Sequence, residues 1–314
     1  TMNGNSPSIG TGSWTVISGT ASLTSPTLAT SAVTAIASGT NIFQWTISKG
    51  ACAPSTSTMS IIVDNIPTTA IAGPTQTLCA SNPTTTMNGN VPAIGTGSWT
   101  VISGTASITN PTLATTGVTS ISTGTNIFQW TISNSLCSSS SSTVLVQVDQ
   151  IPTIAMAGSS QTLCSGFYNM GGNAAAIGTG TWTLISGAAT ITSPNNPNTS
   201  VTALGVGANI FQWAIGNGVC SSSSSTVSIT RDAVPTTANA GVSQTLCASN
   251  PTTNLNGNNP AIGTGSWTVI SGTATISTPT LATTAATGIA TGTNVFEWTI
   301  SNGVCTSSSD DVVI

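Results

Sequence analysis

The stretch at residues 39–48 reads GTNIFQWTIS. It recurs unchanged at 124–133, as GANIFQWAIG from 207 and as GTNVFEWTIS from 292. Within it Phe43, Trp45 and Ile47 alternate with Gln44 and Thr46. A period of two between apolar and polar side chains describes a strand with one face in a core and the other outward. On this register the single change of Gln to Glu, at Glu297, falls on the outer face.

The eight tryptophans extend the repeat to the whole chain. They form four pairs, Trp14/Trp45, Trp99/Trp130, Trp182/Trp213 and Trp267/Trp298, each 31 residues apart, with successive pairs offset by 85, 83 and 85. Self-similarity at a fixed period is the signature of a repeat architecture. In the second copy the candidate strands are QTLC (76–79), TTMNGN (85–90), GSWTVIS (97–103), ASIT (106–109), GVTSI (117–121), NIFQWTIS (126–133) and STVLVQV (142–148). β-branched and aromatic residues fill them, and Gly, Pro, Asn and Ser separate them. No stretch has helical periodicity. Seven short strands in about 85 residues indicate a sandwich. The expected fold is all-β: tandem Ig-like/PKD-like antiparallel β-sandwich domains arranged as a rod. The expected repeats span 1–65 (N-terminally incomplete), 66–150, 151–233 and 234–314. The third copy is shorter by two residues between Cys164 and Trp182, as befits a loop.

The joints VDNIPTTA (63–70), VDQIPTIA (148–155) and RDAVPTTA (231–238) also repeat. Proline fixes its own φ and restricts the residue before it, so each reads as a short, semi-rigid connection. Sandwiches of roughly 30–40 Å, set by strands of 8–10 residues, would together span well over 100 Å if those joints are extended.

Only 3% of the residues are charged, and the basic ones are Lys49 and Arg231. Two cations cannot neutralise a phosphate backbone, so nucleic acid is excluded as a partner. No apolar run approaches the 18 or so residues of a membrane span. The chain has no His, and a nucleophilic Cys without a base is inert, so the chain reads as a non-enzyme with no cofactor.

Seven cysteines remain. Cys79, Cys164 and Cys247 end QTLC segments, while Cys52, Cys137, Cys220 and Cys305 follow the Trp-bearing strand. None lies close enough in sequence to another for a zinc site, so disulfides in an oxidising compartment are expected. Pairing inside each copy joins Cys79 with Cys137, Cys164 with Cys220 and Cys247 with Cys305, and leaves Cys52 unpaired. Pairing across the joints joins Cys52 with Cys79, Cys137 with Cys164 and Cys220 with Cys247. The first is preferred, because closing a loop of about 58 residues is worth roughly 4 kcal/mol in the chain-entropy account. Against it, the two cysteines of a simple sandwich lie at opposite ends, so links between neighbouring domains or chains stay open.

The carboxylates are Asp64, Asp149, Asp232, Glu297, Asp310 and Asp311. The first three precede the joints, where bonding the linker backbone is preferred to a calcium site, since calcium takes six to eight oxygens. The adjacent Asp310 and Asp311 face opposite sides of a strand and form no catalytic dyad. The serine runs 138–142 and 221–225 read as hairpin or flexible loops, with glycosylation as an option. The tryptophans read as core in preference to a carbohydrate platform; Phe167 and Tyr168 are the only aromatics that fit an exposed binding surface. Outer faces of Thr, Ser, Asn and Gln leave the sheet edges without the charges that keep them apart, so other copies of the protein are expected partners in a fibre or bundle.

The combination TANAGVSQTLC (237–247), NGN (256–258), GTGSWTVISGTATI (263–276), GTNVFEWTISNGVC (292–305) and SSSDDVVI (307–314) resembles the PKD-like/Ig-like tandem repeats of giant Bacteroidota cell-surface adhesins. The resemblance covers essentially the whole chain. It implies an extracellular, bacterial cell-surface location, export by the type IX route, and a structural role in gliding, attachment or prey capture. It brings no catalytic residues. The secondary readings are a direct carbohydrate- or surface-binding module and an ice-binding adhesin. The latter requires flat Thr ladders that separate globules do not provide.

Overall fold

A computed structural model describes all residues from Thr1 to Ile314. The chain is all-β and divides into two compact units, Thr1–Gln150 and Ile151–Ile314. Four separate apolar cores lie within them, two per unit, each built around one pair of tryptophans.

The second repeat shows the plan. Its strands are β1 (Gln76–Cys79), β2 (Thr85–Asn88), β3 (Thr96–Ser103), β4 (Ser107–Ile108), β5 (Thr115–Thr119), β6 (Gly124–Asn134) and β7 (Cys137–Asp149). One sheet has the order β3-β6-β7-β1 and the other β4-β5-β2. All pairings are antiparallel except β1 with β7, which run parallel, Gln76 opposite Val146 and Cys79 opposite Asp149. Met87 and Val118 from the smaller sheet meet Trp99, Phe128, Trp130, Ile132, Val144, Val146 and Val148 from the larger one. This is an Ig/PKD-like sandwich.

The alternation in NIFQWTIS determines which face enters that core. Phe128, Trp130 and Ile132 are fully buried, while Gln129 and Thr131 are half-buried on the outer face of a central strand. Trp99 of β3 stands directly opposite Trp130 of β6. Their rings lie 5.1 Å apart, tilted by 38°, and the other three pairs repeat this geometry within 0.1 Å and 3°. Each indole N–H is satisfied, Trp99 donating to Ala114 O at 3.1 Å and Trp130 to Asn90 O at 3.2 Å. Gly97, two residues before Trp99, leaves the slot that the six-membered ring of Trp130 occupies.

The strand that carries Trp298 departs from the expected pattern and corrects it. Trp298 itself is fully buried opposite Trp267 and donates to Asn258 O at 3.2 Å. Its strand, however, spans only Val295–Ser301, whereas the strand bearing Trp130 begins at Gly124. GTNVFEWTIS is therefore not a strand along its full length. At its start Asn294 exchanges backbone hydrogen bonds with Ile314. The cross-strand environment differs as well. Trp298 stands beside Asp310, where Trp130 stands beside Ser142.

Asparagine in the same strand has a role that the sequence reading passed over. Asn126 is fully buried, as are Asn41, Asn209 and Asn294. Its Nδ2 donates to Ser122 O at 2.7 Å, Gly124 O at 3.1 Å and Val146 O at 3.4 Å, and its Oδ1 accepts from the Ser122 hydroxyl at 2.7 Å. The side chain thereby bonds three backbone carbonyls that converge at the start of β6. Asn126→Leu leaves several buried polar groups without partners, each costing about 1–3 kcal/mol. We expect repeat 2 to lose about 2–4 kcal/mol, seen as a roughly 30- to 1000-fold loss of amide protection confined to that repeat in hydrogen exchange.

The edge strand β3 is bulged: Val101 pairs with Phe128, but Ser103 pairs with Ile127, leaving Ile102 unmatched and exposed. The same irregularity recurs at Ile17, Ile185 and Ile270. A bulge twists an edge away from a docking strand, so this edge is protected by backbone geometry where charge is missing.

Candidate functional site

The chemistry of this chain is concentrated where one repeat meets the next. β6 and β7 form a long hairpin closed by residues 134–137, with Asn134 paired to Cys137. Ser135 sits at φ +48°, and Gly303 takes the equivalent place in the fourth repeat at φ +52°. A tight hairpin turn needs such left-handed residues.

In the first unit this tip lies against the end of repeat 1. Asn134 Nδ2 donates to Asn65 O at 2.7 Å, and the Cys137 thiol donates to Asp64 O at 3.5 Å. The second unit builds the same joint between repeats 3 and 4. Asn302 Nδ2 donates to Ala233 O at 2.7 Å, and Cys305 Sγ lies 3.6 Å from Asp232 O. There Asp232 Oδ2 also accepts from Val304 N at 2.9 Å. A covalent link is added: Cys305 is bonded to Cys164, their Cα atoms 5.0 Å apart and their positions 141 residues apart in sequence. The hairpin tip of repeat 4 is thus tied to the first strand of repeat 3.

This corrects the expected cysteine pairing. Cys79 and Cys220 are also disulfide-bonded, whereas Cys52, Cys137 and Cys247 are free thiols. Neither the pairing inside each copy (Cys79 with Cys137, Cys164 with Cys220, Cys247 with Cys305) nor the pairing across the joints is formed. The parallel placement of β1 against β7 explains the first failure. Cys79 lies beside Asp149, at the far end of the strand that Cys137 begins. Twelve residues of strand separate them, roughly 40 Å at about 3.3 Å per residue, against a disulfide's Cα reach of at most about 7 Å.

The serine runs are also corrected. Residues 138–142 lie in β7, and 221–225 lie in the equivalent strand Cys220–Arg231. Alternate hydroxyls face the incoming linker, Ser140 accepting from Ala70 N at 2.9 Å and Ser142 from Ala72 N at 3.2 Å. Ser223 accepts from Ala155 N at 2.9 Å, and Ser308 from Ala238 N at 2.9 Å. Asp310 takes the place of the second serine in repeat 4, accepting from Ala240 N at 2.8 Å. The side chains stand in for a backbone ladder. On its other side the linker is held by Asn90, which accepts from Ile71 N at 2.7 Å and donates to Thr69 O at 2.9 Å.

The remaining candidates are dispersed. Asp149 O accepts from Ala80 N at 2.8 Å. Glu297 accepts from the Thr299 hydroxyl at 3.3 Å and faces Asp311 across the sheet. No three His, Cys, Asp or Glu side chains converge as metal ligands would. Tyr168 packs against the core of repeat 3, which leaves Phe167 alone as an exposed aromatic and removes the two-ring surface. No helix is long and apolar enough to cross a membrane. The indoles are buried in all four repeats: Trp14 and Trp45, Trp99 and Trp130, Trp182 and Trp213, Trp267 and Trp298.

No family model and no curated protein matches the chain. Solved structures similar to it include PKD and immunoglobulin domains. The PKD domain of the KIAA 1837 protein is 26% identical over 26% of this chain and 85% of its own, with a TM-score of 0.24. Sidekick-1 immunoglobulin domains 1–4 are 10% identical over 96% of this chain and 89% of that one, with a TM-score of 0.35. The insect immune protein hemolin is 10% identical over 100% and 96%, with a TM-score of 0.33. The fold assignment rests on the sheet order described above.

Proposed function

We propose that this chain is a structural repeat segment of a long extracellular surface filament or adhesin, serving as stalk and assembly surface in attachment, motility or prey capture on a bacterial cell. The observation that supports it most is the joint between repeats 3 and 4, where a hairpin tip, a linker carbonyl and the Cys164–Cys305 disulfide hold neighbouring domains together. A covalent tie between domains suits a segment that transmits tension, and its persistence requires an oxidising compartment. Nothing in the joint positions a nucleophile beside a base, so its chemistry is mechanical. The repeats 1–65, 66–150, 151–233 and 234–314 are the proposed modules.

Antibody raised against the purified chain should decorate intact, unpermeabilised cells along external fibres in immunogold electron microscopy. Labelling that appears only after permeabilisation would overturn the reading.

A further inference from the structure

The third repeat departs from its neighbours at one end, and its departures fall together. Opposite the glycine that opens the Phe- and Trp-bearing strand, repeats 1 and 2 place Val63 and Val148, whereas repeat 3 places Arg231. Arg231 and Lys49 are the only basic residues of the chain. Two loops meet over this position. Leu204 N donates to Gly166 O at 3.2 Å, as Ile121 N donates to Pro83 O at 3.2 Å in repeat 2. Gly166 for Pro83, Phe167 for Thr84 and Val206 for Thr123 are therefore changes around one spot.

The guanidinium at that spot is short of partners. Arg231 Nη1 donates to Leu204 O at 2.7 Å, while its Nε is buried and hydrogen-bonded to nothing. Asp232, next in sequence, turns its carboxylate to the hairpin tip, where Oδ2 accepts from Val304 N at 2.9 Å. A half-buried charge left in this condition is costly, and an anion beside it gains correspondingly. A Cβ on Gly166 would stand 3.8 Å from the guanidinium carbon, so glycine keeps the approach open where a proline ring would narrow it. The remaining Nη hydrogens form an end-on fork that matches the two oxygens of a carboxylate. The two loops also carry apolar side chains into solvent, Phe167 being 49% exposed and Val206 65%. The first loop follows directly on Cys164, which the bond to Cys305 holds in place, so the groups are positioned before any ligand arrives.

We propose that this end of repeat 3 is a binding site for an acidic polysaccharide, the carboxylate of a uronic acid seated on the Arg231 guanidinium and its sugar ring laid against Phe167. A hexuronate has both parts the site asks for: a planar pair of anionic oxygens, and a face of C–H groups that an aromatic ring covers. One charged group that fixes orientation beside apolar side chains is the usual make-up of a small-ligand site. The site gives repeat 3 a ligand that repeats 1 and 2, with valine in place of the arginine, do not take. It does not depend on the chain's role as a stalk.

Titrating the full chain with tri-galacturonate at low salt should shift the amide resonances of Gly166, Phe167 and Leu204 to Val206, and the affinity should fall as salt is added. The methyl ester of the same trisaccharide, which has the sugar without the charge, should leave them in place. Arg231→Val installs the residue of repeats 1 and 2, so amide exchange in repeat 3 should hold while binding weakens at least about tenfold, as loss of a charged hydrogen bond requires. Phe167→Thr, a change on the surface, should weaken binding without touching the guanidinium. No shift in the wild type at millimolar trisaccharide, shifts centred elsewhere, or equal binding by the methyl ester or by Arg231→Val would each overturn the proposal. So would an acidic peptide of the same charge that binds as tightly, since the guanidinium would then answer to a protein carboxylate and Phe167 to no sugar.

Discussion

Gly97→Ala and Trp130→Phe will each destabilise repeat 2, and together they will cost much less than the sum of the two. A methyl on Gly97 overlaps the outer carbons of the Trp130 six-membered ring, so the single alanine forces the indole off its rotamer or the edge strand off its register. Overpacking of this kind costs about 1–3 kcal/mol or more. Shortening Trp130 to Phe empties the slot and leaves Asn90 O without the indole N–H it now accepts. Loss of that packing and hydrogen bond should cost about 2–4 kcal/mol. Combined, the new methyl fills the space the indole vacated. The coupling should be at least about 1 kcal/mol, beyond what distant sites show. A repeat of about 85 residues has only some 4–13 kcal/mol in hand, so Gly97→Ala alone should visibly shift amide exchange in repeat 2. Equal, additive effects would mean that glycine is there for backbone freedom and not for the indole.

The sheet was legible because its signal has contrast. In NIFQWTIS large rings alternate with amides and hydroxyls, and burial follows that alternation at Phe128, Trp130 and Ile132. The length of the strand was less legible. Closely similar segments predict similar strands, yet the one bearing Trp298 runs only from Val295 to Ser301. Asn126 heads the same segment and was missed, because an asparagine two residues after a glycine looks like a turn residue. Only the fold shows that carbonyls of residues 122, 124 and 146 converge on it. The runs 138–142 and 221–225 failed for the opposite reason. A homopolymer of serine has no period, although alternate hydroxyls do different work once the linker is laid along them. Edge protection was sought as charge, yet it is written as a one-residue bulge at Ile102 that no composition reveals. The disulfides were beyond reach of spacing alone. The 31-residue Trp ruler identifies equivalent positions but cannot say whether equivalent cysteines meet within a domain or between neighbours. The parallel seating of β1 decides that.

Stretching the second unit between handles at Ile151 and Ile314 will show the largest effect of that seating. The Cys164–Cys305 bond short-circuits the chain between them, so tension entering at one handle passes through the bond and bypasses residues 165–304. Those residues include the tryptophan pairs of both repeats, and they remain folded at forces that would otherwise unravel them. Cutting the bond, by reductant or by Cys305→Ser, returns about 140 residues to the stretched path. At about 3.3–3.6 Å per residue the unfolded contour should lengthen by roughly 460–500 Å. The docked tip should persist after the cut, because Asn302 and Val304 still hold Ala233 and Asp232. The reduced unit should then extend in two steps, one for each repeat core. In solution the same cut releases the loop constraint on the unfolded chain, worth about 5 kcal/mol in the chain-entropy account. The contour reading is the stronger test, because it depends on connectivity and on no energy scale. An unchanged contour would mean that these two cysteines are not joined, and the mechanical reading of the joint would fall with them.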